Sequence, residues 1–394
     1  MKIVTTSAEL ESAIANLMSA SVLAIDTEFM REKTYYPKLC LLQIACEDEV
    51  FIIDPLLNRL DLKPLAQLWT APHITKVFHA GTQDLKILFD ACGAAPKPYF
   101  DTQDAATLIG ESEQIGYGAL VQRLLDITLD KSDSFTDWAK RPLSDAQLKY
   151  AGEDVSYLLK LYPLIVAELE ALGRRSWLDK EFERRSSTKA LTVDVDMQYR
   201  RLKRVNSLKP RQLAIAREVA AWREKEAMRR NLPKRWLLSD ESLLEIARRA
   251  PASVQEIAKL RGVGGNLKPA LPAILAAVKR GKECPQKDLP QLLERHKVIG
   301  DDSAALELMA AIVRKRAQQN RLSSAVLASR AMLEAYLCER SDDCALMQGW
   351  RKELVGEELK RLLEGKINLR FENGALVVEN IVEGATKDSV GGCD

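Results

Sequence analysis

The segment VLAIDTEF, residues 22–29, sets two carboxylates, Asp26 and Glu28, two positions apart. On a β-strand that spacing sends both side chains from one face. Val22, Leu23, Ala24, Ile25 and Phe29 make the strand largely buried in this reading. Two acids held together away from water repel, and each is costly to ionise. A bound divalent cation removes both costs, whereas a strand end reaching solvent tolerates the same pair without one. Spacing alone leaves these readings level. Asp84 falls early in a helix expected over 82–92, where any acid is favoured by the N-terminal partial charge. Tyr150 and Asp154 are i and i+4 on a helix expected over 145–161, so phenol and carboxylate share a face. Taken alone, that pair fits a tyrosine packed beside a surface acid equally well. Glu153 points elsewhere on the same helix.

The elements carrying these residues follow from periodicity. Over the first ~170 residues strand-like and helical patterns alternate, as in an α/β domain. Residues 8–20 read as a helix, 22–25 as a strand, 39–45 and 50–53 as a strand pair turning at Glu47-Asp48-Glu49. Residues 62–69 read as helical, 76–79 as a short strand and 82–92 as a helix opened by Gly81. Ser144 is placed to cap the helix over 145–161. Beyond about residue 165 the patterns are helical, with expected helices over 211–231, 240–250, 254–259, 269–279, 304–319, 323–341 and 356–363. Two helical units emerge, each a long helix, a turn with a tryptophan, and shorter helices. The expected division is 1–170, a basic linker 171–206, helical domains 207–286 and 287–367, and a tail 368–394. In the tail Asn373-Gly374 is expected to turn a hairpin, with a disordered end the expectation for the last residues.

Charge is distributed unevenly. Residues 1–170 carry 15 Lys and Arg against 25 Asp and Glu, a net −10; residues 171–300 carry 30 against 15, a net +15. An acidic front beside a basic middle suggests a cation site coupled to a surface for polyanions. Seven scattered cysteines without a CxxC, and only three histidines, fit neither a disulfide framework nor a zinc site. No segment approaches the ~20 apolar residues of a membrane helix. Glu9 and Glu11 interrupt the place where a signal peptide needs its apolar run. The expected location is the cytoplasm.

In order, Asp26-Thr27-Glu28, Asp84 and Tyr150-Ala151-Gly152-Glu153-Asp154 resemble the three exonuclease motifs of the DEDD superfamily in its tyrosine-bearing branch. The segments DTEFMREKTYYPKLCLLQIA, HAGTQDLKIL, DTQDAA and LDKSDSFTDWAKRPLSDAQLKYAGEDV are similar to the bacterial ribonuclease D family. The likeness is close over roughly residues 20–165. More weakly, the helical remainder resembles that family's two HRDC (helicase and RNase D C-terminal) domains. This resemblance implies an α/β, ribonuclease H-like 3′–5′ exonuclease domain followed by two all-α, HRDC-like domains. It implies an exoribonuclease that hydrolyses RNA from the 3′ end by two-metal catalysis, releasing nucleoside 5′-monophosphates, in tRNA 3′-end maturation. Its partners would be tRNA precursors and other structured small RNAs, with no membrane and no obligate protein partner. Asp26, Glu28, Asp84 and Asp154 are then the ligands of two divalent cations, Mg²⁺ or Mn²⁺, and Tyr150 orients the attacking water. Four carboxylates without histidine support suit such hard cations. The alternatives on the same residues are a DNA exonuclease and a non-catalytic RNA-binding protein.

Other features admit plainer readings. His79 reads as a strand-end residue and Asp101 as a helix cap. Asp194 and Asp196 read as a solvated loop, and Gly262–Gly265 as a turn. Trp138 and Arg141 could hold a base and a phosphate or lock the loop before the Tyr150 helix. The basic cluster of Arg200–Arg204, Arg229, Arg230, Lys234 and Arg235, with Trp222 and Trp236, fits a phosphate-tracking surface.

Overall fold

The computed structural model describes residues 1–47, 49–129, 136–292 and 300–381. The turn centred on Asp48, the motif stretch 130–135, His296 and the tail after Ile381 lie outside the described residues.

Six strands form one mixed sheet: β1 (Lys2–Val4), β2 (Val22–Met30), β3 (Lys38–Cys46), β4 (Glu49–Ile53), β5 (Thr75–Phe78) and β6 (Tyr99–Asp101). Their order is β1-β4-β3-β2-β5-β6. β2 runs antiparallel to β3 and parallel to β5, which makes it an inner strand with no free edge. Its segment Leu23-Ala24-Ile25 is fully buried, and β3 is buried over Leu39–Cys46. Such near-continuous apolar runs are what strands covered on both faces require. A register shift between Glu28 and Phe29 bends β2 just beyond its second acid, a common device for re-aiming side chains beside a site.

The chain forms two compact units that interleave in sequence: Met1–Tyr99 with Asp130–Leu159 and Glu183–Glu294, and Phe100–Leu129 with Lys160–Phe182 and Arg295–Asp394. The first unit holds β1–β5 and a helical bundle. That bundle is built on the helices Pro210–Arg230, Asp240–Arg249 and Leu271–Glu283. The end of the expected linker belongs to it, because Tyr199, Leu202 and Val205, with Leu208 just beyond, lie in the bundle core. Their three-residue spacing suits the 3₁₀ turns found there, Gln198–Arg201 and Val205–Ser207.

The second unit holds the helices Asp301–Gln319, Ser324–Leu327, Arg330–Glu339 and Glu357–Leu363, together with the hairpin of β7 (Ile367–Glu372) and β8 (Ala375–Asn380). Asn373 and Gly374, both at positive φ, turn that hairpin. The single helix expected over 323–341 is instead two, since the Ser329 side chain accepts from the Met332 N–H and caps a new start. The expected Trp turns are not equivalent either: Trp236 follows the long helix of the first bundle, whereas Trp350 lies well after that of the second.

Candidate active site

β2 delivers Asp26 and Glu28 just past Val22–Ala24, the stretch that pairs in parallel with β5, and ligands gather beyond such carboxyl ends. β5 ends beside it, and the chain turns through Gly81 into the helix Thr82–Cys92. A Cβ on Gly81 would collide with the Phe78 side chain, so the turn demands glycine. Asp84 follows in the first helical turn, buried, and the Thr27 hydroxyl donates to its Oδ1. The third contribution comes from the helix Asp145–Ala171. Its start is fixed reciprocally: the Gln147 N–H donates to Ser144 Oγ at 3.1 Å, and the Ser144 N–H donates to Gln147 Oε1 at 2.9 Å.

Carboxylate oxygens of Asp26, Glu28 and Asp154 lie within 4.8 Å of one another. Asp84 stands outside that trio, yet its charge acts on both Asp26 and Glu28. Tyr150 shares a face with Asp154 and is hydrogen-bonded to it, while Glu153 reaches back to Lys149 at 3.8 Å. Burial, then the charges of Asp154 and Asp84, push Glu28 up to about 8. Burial also pushes Asp154 up to about 7, against the Tyr150 hydrogen bond, which lowers it. Asp26 is held well above the usual carboxylate range by burial and by Asp154, Asp84 and Glu28. These acids cannot all ionise without a counter-ion, and an all-oxygen donor set fits a hard divalent cation. Burial and the same acids raise the Tyr150 phenol, so it keeps its proton at neutral pH and acts as a donor.

The loop before the tyrosine helix is locked internally. Arg141 donates to Asp54 through Nε (2.6 Å to Oδ2) and Nη2 (2.9 Å to Oδ1), and Nη2 also donates to the Cys40 carbonyl. Its Nη1 donates to the carbonyls of Trp138 and Lys140. Trp138 is buried with Cys40, Leu41, Ile52 and Ala151, its ring 6.1 Å from that of Tyr150. Trp138 and Arg141 therefore hold the loop and back the tyrosine. Asp101 caps its helix by accepting from the Gln103 N–H. Asp194 accepts from the N–H groups of Asp196 and Met197 in an exposed turn.

Sequence reasoning passed over three contributors. Nothing local marks Thr27 as the partner of Asp84 or Asp54 as the partner of Arg141. Gln43 did carry a signal, a lone amide within LCLLQIA. It is fully buried opposite Asp26 in the strand register, and among the described residues its amide has no hydrogen-bond partner.

Residues 1–170 match the family model described as 3′-5′ exonuclease, and residues 212–278 match the HRDC domain. Ribonuclease D of Nitrobacter hamburgensis is 38% identical over 379 residues, covering 96% of this chain and 99% of that protein. The chain belongs to the ribonuclease D family. Ribonuclease D of Bartonella henselae is 36% identical, with 95% and 93% covered. The crystal structure of Escherichia coli RNase D, described as an exoribonuclease involved in structured RNA processing, aligns with a TM-score of 0.80. That pair is 31% identical over 92% of this chain and 98% of the other. With its family and its carboxylate cluster, the chain is a metal-dependent 3′→5′ exoribonuclease. Its fold is the ribonuclease H-like exonuclease domain with HRDC-like helical domains that the family carries.

Proposed function

We propose that Asp26, Glu28, Asp84 and Asp154 hold two divalent cations, Mg²⁺ or Mn²⁺, and that Tyr150 positions the attacking water. The observation that carries this reading is the convergence of three carboxylates within 4.8 Å of one another, each with its proton affinity raised by burial. Bound there, the cations would supply Lewis-acid charge to the attacking and leaving oxygens of a phosphodiester. The protein's part is geometric. β2 fixes two carboxylates, the Thr82 helix fixes Asp84 with the help of Thr27, and the Tyr150 hydroxyl orients its partner by donation. The products are a nucleoside 5′-monophosphate and an RNA shortened at its 3′ end. The substrates are tRNA precursors and other structured small RNAs in the cytoplasm, a reading supported by the basic middle of the chain. Residues 207–286 and 287–367 act as the two HRDC-like domains.

Two experiments test this. Labelled RNA incubated with excess chelator should remain intact and should shorten from its 3′ end once Mg²⁺ or Mn²⁺ is restored; degradation in chelator contradicts the proposal. Tyr150→Phe should lower turnover about 10²–10⁴-fold, the usual worth of a positioning or proton-transfer group, with metal affinity near that of the parent. Unchanged turnover would make Tyr150 a packing residue.

A further inference from the structure

The helical turn after the long helix of the first bundle, Lys234–Leu237, carries Trp236 at 53% exposure and Arg235 with its side chain 69% exposed. Both line a cleft of about 580 Å³ that also takes in Arg31, Tyr36, Gln83 and Arg201. Its other wall is made of the segments that build the active site. Arg31 and Tyr36 follow the acid-bearing strand β2, and Thr82 and Gln83 immediately precede Asp84. The floor is fixed: the Tyr35 hydroxyl donates to Glu224 Oε1 at 2.5 Å, and Lys234 Nζ lies 3.0 Å from Glu224 Oε2. The Tyr36 N–H donates to Asn231 Oδ1 at 3.0 Å, so the β2–β3 loop and the bundle present one continuous surface.

Charge in the cleft is lopsided once its internal pairs are removed. Asp90 is engaged by Lys86, and Glu224 by Tyr35 and Lys234. Glu32 remains as an exposed acid at the rim. Arg31 and Arg201 make no ion pair among the described residues, and Arg235 reaches Asp240 only at 3.9 Å.

The second bundle provides an internal control. Its turn Ser324–Leu327 lies between the same landmarks: a positive-φ residue (Arg321, as Asn231), a serine cap (Ser329, as Ser239) and a second positive-φ residue (Arg340, as Ala250). At constant offset, Ser324-Ala325-Val326 stand where the first bundle has Lys234-Arg235-Trp236. The turn folds without them, so its architecture does not account for an exposed indole beside two cations.

We propose that this cleft holds the single-stranded RNA leading into the active site, with a base stacked on Trp236 and the intervening phosphates met by Arg31, Arg201 and Arg235. This rests on the exoribonuclease reading and deepens it. An aromatic platform set among cations recognises any nucleotide, since every base has a π-face, and the preference is for a strand long enough to reach from site to platform.

The test compares hydrolysis of a dinucleotide and of a longer oligoadenylate by the full-length protein with Mn²⁺. Trp236→Ala should raise KM for the long strand relative to the dinucleotide about tenfold, with kcat little altered, and Trp236→Phe should recover most of the loss. Val326→Ala, at the matching position of the second bundle, should shift neither substrate. Arg201→Ala should flatten the dependence of log affinity on log salt by about 0.7. An unchanged KM ratio in Trp236→Ala overturns the proposal, as does an equal loss on both substrates, which would mark Trp236 as a packing residue. If the parent protein shortens neither RNA, the exoribonuclease reading itself fails, a result distinct from either of these.

Discussion

The two helical bundles share a plan and differ in where they bury charge. In the first, Arg223 is 5% exposed and donates through Nη1 to the Leu238 carbonyl and to Asp240. Its neighbour Glu224, 1% exposed, takes Tyr35 and Lys234. The matching positions in the second bundle are Val313, which is buried and apolar, and Arg314, which is exposed. There the corresponding helix pairs Arg316 with Glu358, and elsewhere in the same unit the rings of Trp177 and Trp350 stack 4.6 Å apart. Buried ion pairs are poor sources of stability compared with apolar residues of the same volume, but they fix geometry. The first bundle accepts that cost where it meets the loop following β2, the strand that bears Asp26 and Glu28. The second, whose long helix carries no such duty, has an apolar core at the equivalent place.

The largest effect expected from this contrast comes from Glu224→Gln. It strips the charge that Tyr35 and Lys234 share, and about 2–3 kcal/mol of stability should be lost in chemical denaturation. RNA hydrolysis should fall with it, because the β2–β3 loop is released. A stability equal to that of the parent would show that the buried pair is replaceable and the contrast superficial. A smaller effect should appear in the pH dependence of the metal-free protein. Glu28 and Asp154 bind protons more tightly when folded than when unfolded. The folded state therefore holds more protons, and stability must fall as pH rises through the folded values. Calorimetry from about pH 5 to about pH 8 should move unfolding of the first unit to lower temperature and leave the second unit in place, and Mn²⁺ should reverse the shift. A first-unit transition that rises over that interval would contradict the raised acids. The smallest effect is Arg314→Ala, on the exposed face of the second bundle, expected within about 0.5 kcal/mol of the parent.

How legible these features were in sequence follows their range along the chain. The DTE strand, the Gly81 turn, the Ser144 cap and the Asn373-Gly374 hairpin are local, and each was readable from a handful of residues. The helix beginning at Asp145 was not fully readable. Its pattern ends at Leu161 in the sequence reading, with Pro163 opening a further helical turn, yet one helix runs through to Ala171. A mid-helix proline forfeits one hydrogen bond, and the fully buried stripe Val155, Leu158, Leu161, Ile165 and Leu169 outweighs that loss. Asp54 with Arg141 and Tyr35 with Glu224 are separated by 87 and 189 positions. Nothing in the surroundings of either residue names its partner. Interleaving of the two units is illegible for the same reason, and it has a practical consequence. A cut near residue 170 would divide both units, so the role of the basic middle is better tested by point substitutions than by truncation.

The central claim is that the carboxylates on β2 and the Tyr150 helix hold the ions that make this fold an exoribonuclease. It is tested most directly by titrating Mn²⁺ into the metal-free protein and into Asp26→Asn, following RNA shortening in the same samples. The account predicts that the parent binds Mn²⁺ and shortens RNA from its 3′ end. Asp26→Asn, equally folded by circular dichroism, should bind the ion more weakly and leave the RNA intact. A folded Asp26→Asn protein that still shortens RNA at the parental rate would contradict it.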